Sequence, residues 1–213
     1  MSDNPRRLGL ELALVVVVSL AVLVPGIWRY SLVDPWETHY GEVARNMRKD
    51  GDLVHMQWPG TTPEGGPNEG FRSKPVLMFW MMAAGLQTMG VADHGGYSGE
   101  MVESARTMVG IPIPFVIAAV GGLNLLWWML ARLVNRRLAW LALLVVGSCP
   151  LFCLIARQAM PDMPLVASTT GAIALFVLAM EDGERPILPW WRRVDARHVM
   201  LALAGGFVVA QAL

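Results

Sequence analysis

Asp34, Glu37, His39, Tyr40, Glu42 and Arg45 crowd into one short segment, Asp34-Pro35-Trp36-Glu37-Thr38-His39-Tyr40-Gly41-Glu42-Val43-Ala44-Arg45. Carboxylates, an imidazole and a phenol hold or exchange protons, and a guanidinium binds anions. The segment directly follows an apolar run from Leu10 to Trp28. At about 1.5 Å per residue that run is long enough to cross a hydrocarbon core. Ionisable groups at the mouth of a span point to chemistry at a membrane surface. A plainer reading is local: Asp34 as N-cap, Pro35 at the first helical position and Glu37 three residues past the cap make a capping-box helix start, worth about 1 kcal/mol.

The first apolar run reads as an uncleaved transmembrane helix. It ends in Pro25-Gly26-Ile27-Trp28-Arg29-Tyr30, an aromatic and basic interfacial anchor with no small-residue cleavage site. Glu11 lies near its cytoplasmic end and is expected to snorkel outward without a role. The whole composition agrees, with 54% hydrophobic and 16% charged residues and a mean hydropathy of +0.45. Seventeen basic residues balance seventeen acidic ones, so no excess of positive charge argues for a nucleic-acid partner. Cys149 and Cys153 stand one helical turn apart in an apolar span. They read as packing residues rather than as a disulfide or a metal pair.

Spans are expected at about 8–30, 107–130, 138–156, 164–180 and 199–213, with a shorter apolar run from Pro75 to Val91. If the short run crossed, Arg132, Arg136 and Arg137, and also Arg185, Arg192, Arg193 and Arg197, would lie opposite Arg6 and Arg7. That arrangement breaks the positive-inside rule twice. Laid in the outer interface instead, the short run leaves all these arginines cytoplasmic and puts Asp34 and Asp162 in one external compartment. The segment 31–106 is then an external loop carrying two surface helices, one from Pro35 to about Lys49 and one from Pro75 to Met89. Trp36, Tyr40, Val43 and Met47 recur at helical spacing on the first. Between the two, residues 59–70 are dense in proline and glycine and read as a loop.

Three segments, Asp34 to Arg45, Ser73-Lys74-Pro75-Val76-Leu77-Met78-Phe79-Trp80 and Ala156-Arg157-Gln158-Ala159-Met160-Pro161-Asp162-Met163-Pro164, resemble successive motifs of one family in order and separation. These are the membrane glycosyltransferases that include the lipid A aminoarabinose transferase and the protein O-mannosyltransferases. The resemblance implies an all-α polytopic helix bundle of the C-type glycosyltransferase fold, with interfacial helices in the first external loop. It further implies an inverting transfer of a sugar from a polyprenyl-phosphate donor to a lipid, glycan or protein acceptor on the non-cytoplasmic side. By the same resemblance Asp34, Glu37 and Asp162 are catalytic candidates. His39, Tyr40, Lys74 and Arg157 are substrate-binding candidates, with Lys74 and Arg157 near phosphate. Each has a plainer reading: helix caps for Asp34 and Glu37, a snorkelling lysine, an interfacial tyrosine, and a salt bridge between Arg157 and Asp162.

Two departures bear on these roles. Trp36-Glu37 stands where many members have an acidic pair, so the base is left open between Asp34 and Glu37. Ser73 stands where aminoarabinose transferases often have a metal-associated acid, so metal dependence is not carried over and no metal ligand or other cofactor is expected. The chain ends before a Thr-Lys-Gly stretch typical of the family, and is expected to be the N-terminal part of a longer transferase. A carrier-lipid binding protein without activity, or a subunit of a longer enzyme, is the alternative. Ionisable groups gathered at one mouth favour interfacial chemistry over permeation, since transporters set such groups at mid-membrane. The expected location is the plasma membrane, crossed several times, with the active side facing the periplasm or exterior. Sugar and acceptor are not legible.

Overall fold

Proline and glycine mark where the helices of this chain begin and stop. In a computed structural model, which describes residues 5–29, 32, 36–56, 74–91, 105–182 and 196–211, all regular elements among the described residues are helical. Helix α1, Pro5–Leu23, opens on a proline whose missing N–H is no loss at a helix start. It stops before Pro25 and Gly26, the latter at φ 84°, and a 3-10 turn follows at Ile27–Arg29. Helix α2, Trp36–Asp50, ends at Gly51 with φ 69°, the left-handed residue that commonly closes a helix. Helix α3, Val76–Thr88, follows Pro75 and has 13 residues. Its length is therefore about 20 Å, short of the roughly 30 Å of a hydrocarbon core.

Helices α4, Ala105–Gly110, and α5, Ile113–Leu133, come next, separated by Ile111 and Pro112. Asn135 then caps α6, Arg136–Gly147, its side chain accepting the Leu138 N–H at 2.8 Å. Helices α7, Pro150–Arg157, α8, Asp162–Asp182, and α9, Ala196–Ala210, complete the described elements. Three stretches, Arg6–Arg29, Arg106–Leu133 and Asp162–Glu181, are long and apolar enough to cross a membrane. The chain is an all-α membrane helix bundle.

The apolar run expected to cross over 138–156 consists of two helices, α6 and α7, set at 67° to each other. Pro150 is the cause: it donates no N–H and forces the residue before it out of helical conformation. Side-chain donors add to the carbonyls beside the break, where helical hydrogen bonding is interrupted. Ser148 Oγ donates to Leu144 O at 2.6 Å, and Cys153 Sγ donates to Gly147 O at 3.0 Å. Both cysteines are free thiols.

The chain divides into two compact units. The first comprises Met1–Leu23, Ala118–Cys153 and Pro164–Ala212. Helices gain little from the hydrophobic effect when lipid is the alternative neighbour, so close backbone approach matters most here. Gly122 of α5 supplies it, because a Cβ there would lie 3.4 Å from Ala167 Cα of α8. Gly171, one turn along α8, receives the Phe207 ring of α9. Trp127 is fully buried and meets Trp140 edge-on with centroids 5.6 Å apart. The expected snorkelling of Glu11 gives way to an ion pair: Glu11 Oε2 lies 2.9 Å from Arg136 Nε of α6, and its other oxygen 3.3 Å from Arg7 Nε. Outward-facing Leu10, Leu14, Val17, Leu141, Val145, Ile173 and Phe176 are exposed, as lipid-facing side chains must be.

The second unit comprises Val24–Ile117 and Leu154–Met163, with Leu213. It contains all three motif segments up to Met163, and every described candidate among their residues.

Candidate functional site

Helix α2 turns one face inward, and Glu37, Tyr40, Val43, Ala44 and Met47 recur along it at helical spacing, all buried. The inner end of that stripe is the carboxylate of Glu37, because Trp36 points outward and is 51% exposed. Below the stripe lies α3, whose Met78, Phe79, Met82, Ala83 and Leu86 are buried in turn. Tyr40 meets Phe79 edge-on, with centroids 5.9 Å apart and planes at 90°. This is the favoured aromatic geometry, worth about 1 kcal/mol beyond the area buried. Trp36 overlies Tyr40 at 6.2 Å and 37°.

Glu37 reaches across 122 residues of sequence. Its Oε1 accepts the backbone N–H of Ala159 at 2.6 Å. Both ends are secluded, Glu37 being 3% exposed and Ala159 fully buried. A hydrogen bond between an amide and a carboxylate so shielded contributes about 1.5–3 kcal/mol. Ala159 sits in the turn between α7 and α8, two residues after Arg157 and three before Asp162. Arg157 is the last residue of α7 and half-buried; Asp162 opens α8 and is exposed. Buried Ala156 and Met163 hold the two sides of the turn.

The three motif segments are thus joined by two contacts. Glu37 to Ala159 ties the first to the third, and Tyr40 to Phe79 ties the first to the second. Lys74, half-buried, immediately precedes Pro75 and the start of α3. His39 is half-buried on the same turn of α2 as Tyr40. Asp34, Ser73 and the proline- and glycine-rich loop at 59–70 lie outside the described residues, as do Arg185, Arg192 and Arg193. Among the described residues no three His, Cys, Asp or Glu side chains converge on one point.

Other contacts hold α2 and α3 together beyond the motifs. Arg48 Nη2 donates to Val91 O at 3.1 Å, and Trp80 Nε1 donates to Leu53 O at 2.7 Å. The turn that presents Leu53 is built by Asp52, whose Oδ1 accepts the N–H groups of His55 and Val54 at 3.0 Å each. Its Oδ2 lies 2.8 Å from His55 Nδ1. The His55 amide first, then the Val54 amide and the His55 ring, lower the Asp52 carboxyl from 3.8 to about 2. Glu42 and Arg45 pair within α2, the arginine Nε donating to Glu42 Oε2 at 2.9 Å. Gly85 of α3 lets Gly110 of α4 come so near that a Cβ would lie 1.9 Å from the Gly110 carbonyl oxygen.

Glu37, Tyr40 and Lys74 are singled out from sequence by the capping pattern and the family resemblance, whereas Ala159, Phe79 as the partner of Tyr40, and the Asp52 turn are not. An Asp three residues before a His after a helix-ending glycine is the local signal for that turn. Nothing in sequence distinguishes the Ala159 amide from any other.

No protein-family profile and no curated protein matches the chain. In structure it is similar to crystalline ArnT from Cupriavidus metallidurans in the apo state, with a TM-score of 0.60 and 20% sequence identity. The likeness covers 94% of this chain and 30% of that one. The chain therefore spans less than a third of the length of ArnT. The likeness is one of fold: a polytopic helix bundle of the C-type glycosyltransferase kind.

Proposed function

We propose that the chain is the N-terminal part of a membrane glycosyltransferase that moves a sugar from a polyprenyl-phosphate donor to a lipid, glycan or protein acceptor on the non-cytoplasmic face. The observation that carries the reading is the joining of residues 36–45, 74–80 and 156–163 within one unit, through Glu37 to Ala159 and Tyr40 to Phe79. The fold likeness to ArnT, an aminoarabinose transferase, supports it.

In the proposed step an acceptor hydroxyl or amine attacks the anomeric carbon from the face opposite the phosphate. The new glycosidic bond forms as the bond from that carbon to phosphate oxygen breaks, inverting configuration. Asp34 or Asp162 takes the acceptor's proton, which contributes about 10²–10⁴ in rate. Polyprenyl phosphate leaves with the bonding electrons, and Lys74 and Arg157 stabilise the charge that develops on it. His39 and Tyr40 bind sugar hydroxyls.

The test is transfer from polyprenyl-phosphate sugars in membranes containing the chain, comparing the parent with Asp34→Asn, Asp162→Asn, Lys74→Ala and Arg157→Ala. Loss of a base lowers turnover by about 10² or more, and loss of a phosphate-binding cation by about 10²–10³. Undiminished transfer in all four variants excludes the site. Binding of the donor without transfer by the parent supports a carrier-lipid binding protein instead.

A further inference from the structure

We propose that Glu37 is a positioning residue: its carboxylate holds the turn from Arg157 to Asp162 against α2 and leaves the proton transfer to another acid. The consequence for turnover rests on the transferase reading above. The strut itself rests on geometry alone.

A general base must come within hydrogen-bond reach of the acceptor's proton. Glu37 is 3% exposed and one of its oxygens already accepts the Ala159 N–H at 2.6 Å. The Ala159 amide in turn needs that oxygen. Helix α7 closes with the Gln158 N–H on Leu154 O, so the next amide in the chain falls past the helical ladder. Ala159 is fully buried there, where an unpaired N–H is costly. The turn continues through Met160 and Pro161, and the proline has no N–H to anchor it. Its hold on α2 is set midway between Arg157 and Asp162, the two candidates of the third motif. A shift of the turn by an ångström moves both groups, and displacements of that size cost about 10²-fold in rate.

Side-chain length and charge separate the two roles. A strut needs an acceptor oxygen at the end of a three-carbon side chain, which glutamine supplies and aspartate does not. A base needs a carboxylate, which aspartate supplies and glutamine does not. Glu37→Gln, Glu37→Asp and Glu37→Ala are compared in two measurements. The first is donor-dependent transfer. Gln is expected to keep kcat within about fivefold of the parent, and Asp and Ala to lose about 50-fold or more. The second is independent of turnover: the rate at which a water-soluble maleimide labels Met160→Cys, placed in the Cys149→Ser, Cys153→Ser background. Labelling is expected to stay within about twofold of the parent for Gln and to rise about tenfold for Asp and Ala, as the released turn opens.

Higher transfer by Asp than by Gln, or labelling of the Gln variant as fast as that of the Ala variant, overturns the strut. Should Ala not accumulate, the ratio of Gln to Asp carries the same decision, since both keep a polar group at the position. If the parent transfers no sugar from any polyprenyl-phosphate donor, the transferase reading fails, while the order of the labelling rates still decides the strut.

Discussion

Asp52 shows how much one side chain can organise at an aqueous turn. Two backbone amides and the His55 ring converge on it, and the turn they form presents the Leu53 carbonyl to Trp80 of α3. Hydrogen bonds to the ionised form favour that form, which is why the carboxyl falls from 3.8 to about 2. The sign follows from linkage. The folded group is the stronger acid, so its stabilising contribution is complete above 3.8 and is lost as pH falls through about 2. A ¹³C carboxylate NMR titration, assigned with Asp52→Asn, is expected to show a midpoint near 2 for this residue. A midpoint at 3.8 would show that the amides do not hold it. Glu37 is the contrasting residue. Its placement at the start of α2 is legible from a capping pattern, yet its partner is an unremarked amide 122 residues on. Chemistry-bearing residue types are therefore readable from sequence, while the backbone groups that occupy them are not.

At the scale of elements, periodicity and breakers set most of what is observed. The helices expected at 35–49 and 75–89 are present as α2 at Trp36–Asp50 and α3 at Val76–Thr88. Their ends follow local chemistry, a proline before α3 and left-handed glycines after both. The break between α6 and α7 was also written locally, in Pro150, but mean hydropathy over 138–156 hides it because both halves are apolar. Close approach of backbones is the part that no local pattern reveals. Gly85 is one apolar-compatible residue among many in α3, and only the fold brings the Gly110 carbonyl to within 1.9 Å of a would-be Cβ, with Pro114 Cγ at 2.9 Å. Neither neighbour is the far end of a flexible side chain. Gly85→Ala is therefore expected to separate α3 from α4 and cost about 1–3 kcal/mol or more. Thermal unfolding in detergent checks it against Gly121→Ala, where a Cβ meets nothing within 4 Å and alanine favours the helix by about 1 kcal/mol. Equal melting of the two variants contradicts the packing argument.

For the whole chain, two contacts, each internal to one unit, constrain the path through a membrane. Arg136 pairs with Glu11 near the start of α1, so residue 136 shares the side of the chain's first helical turns. Ala159 bonds to Glu37, so residue 159 shares the side reached after α1 has crossed. Getting from Glu37 to Arg136 then needs an odd number of crossings. Helix α5 with α4 makes one, since Arg106–Leu133 is long enough; α3, at 13 residues, makes none. On the path expected from the sequence, α6 and α7 cross together as a broken span rather than turning back. That path is the one the positive-inside rule proposes, because it keeps Arg6, Arg7, Arg132, Arg136 and Arg137 on one side. The prediction is that Gly66→Cys and Val134→Cys, each in the Cys149→Ser, Cys153→Ser background, react with an impermeant maleimide from opposite faces. Gly66→Cys is expected to label from outside intact cells, and Val134→Cys only after the cytoplasmic face is opened. Labelling of both from one face would require α3 to cross despite its length, or the α6–α7 bend to turn back, and would part Asp162 from the first two motifs.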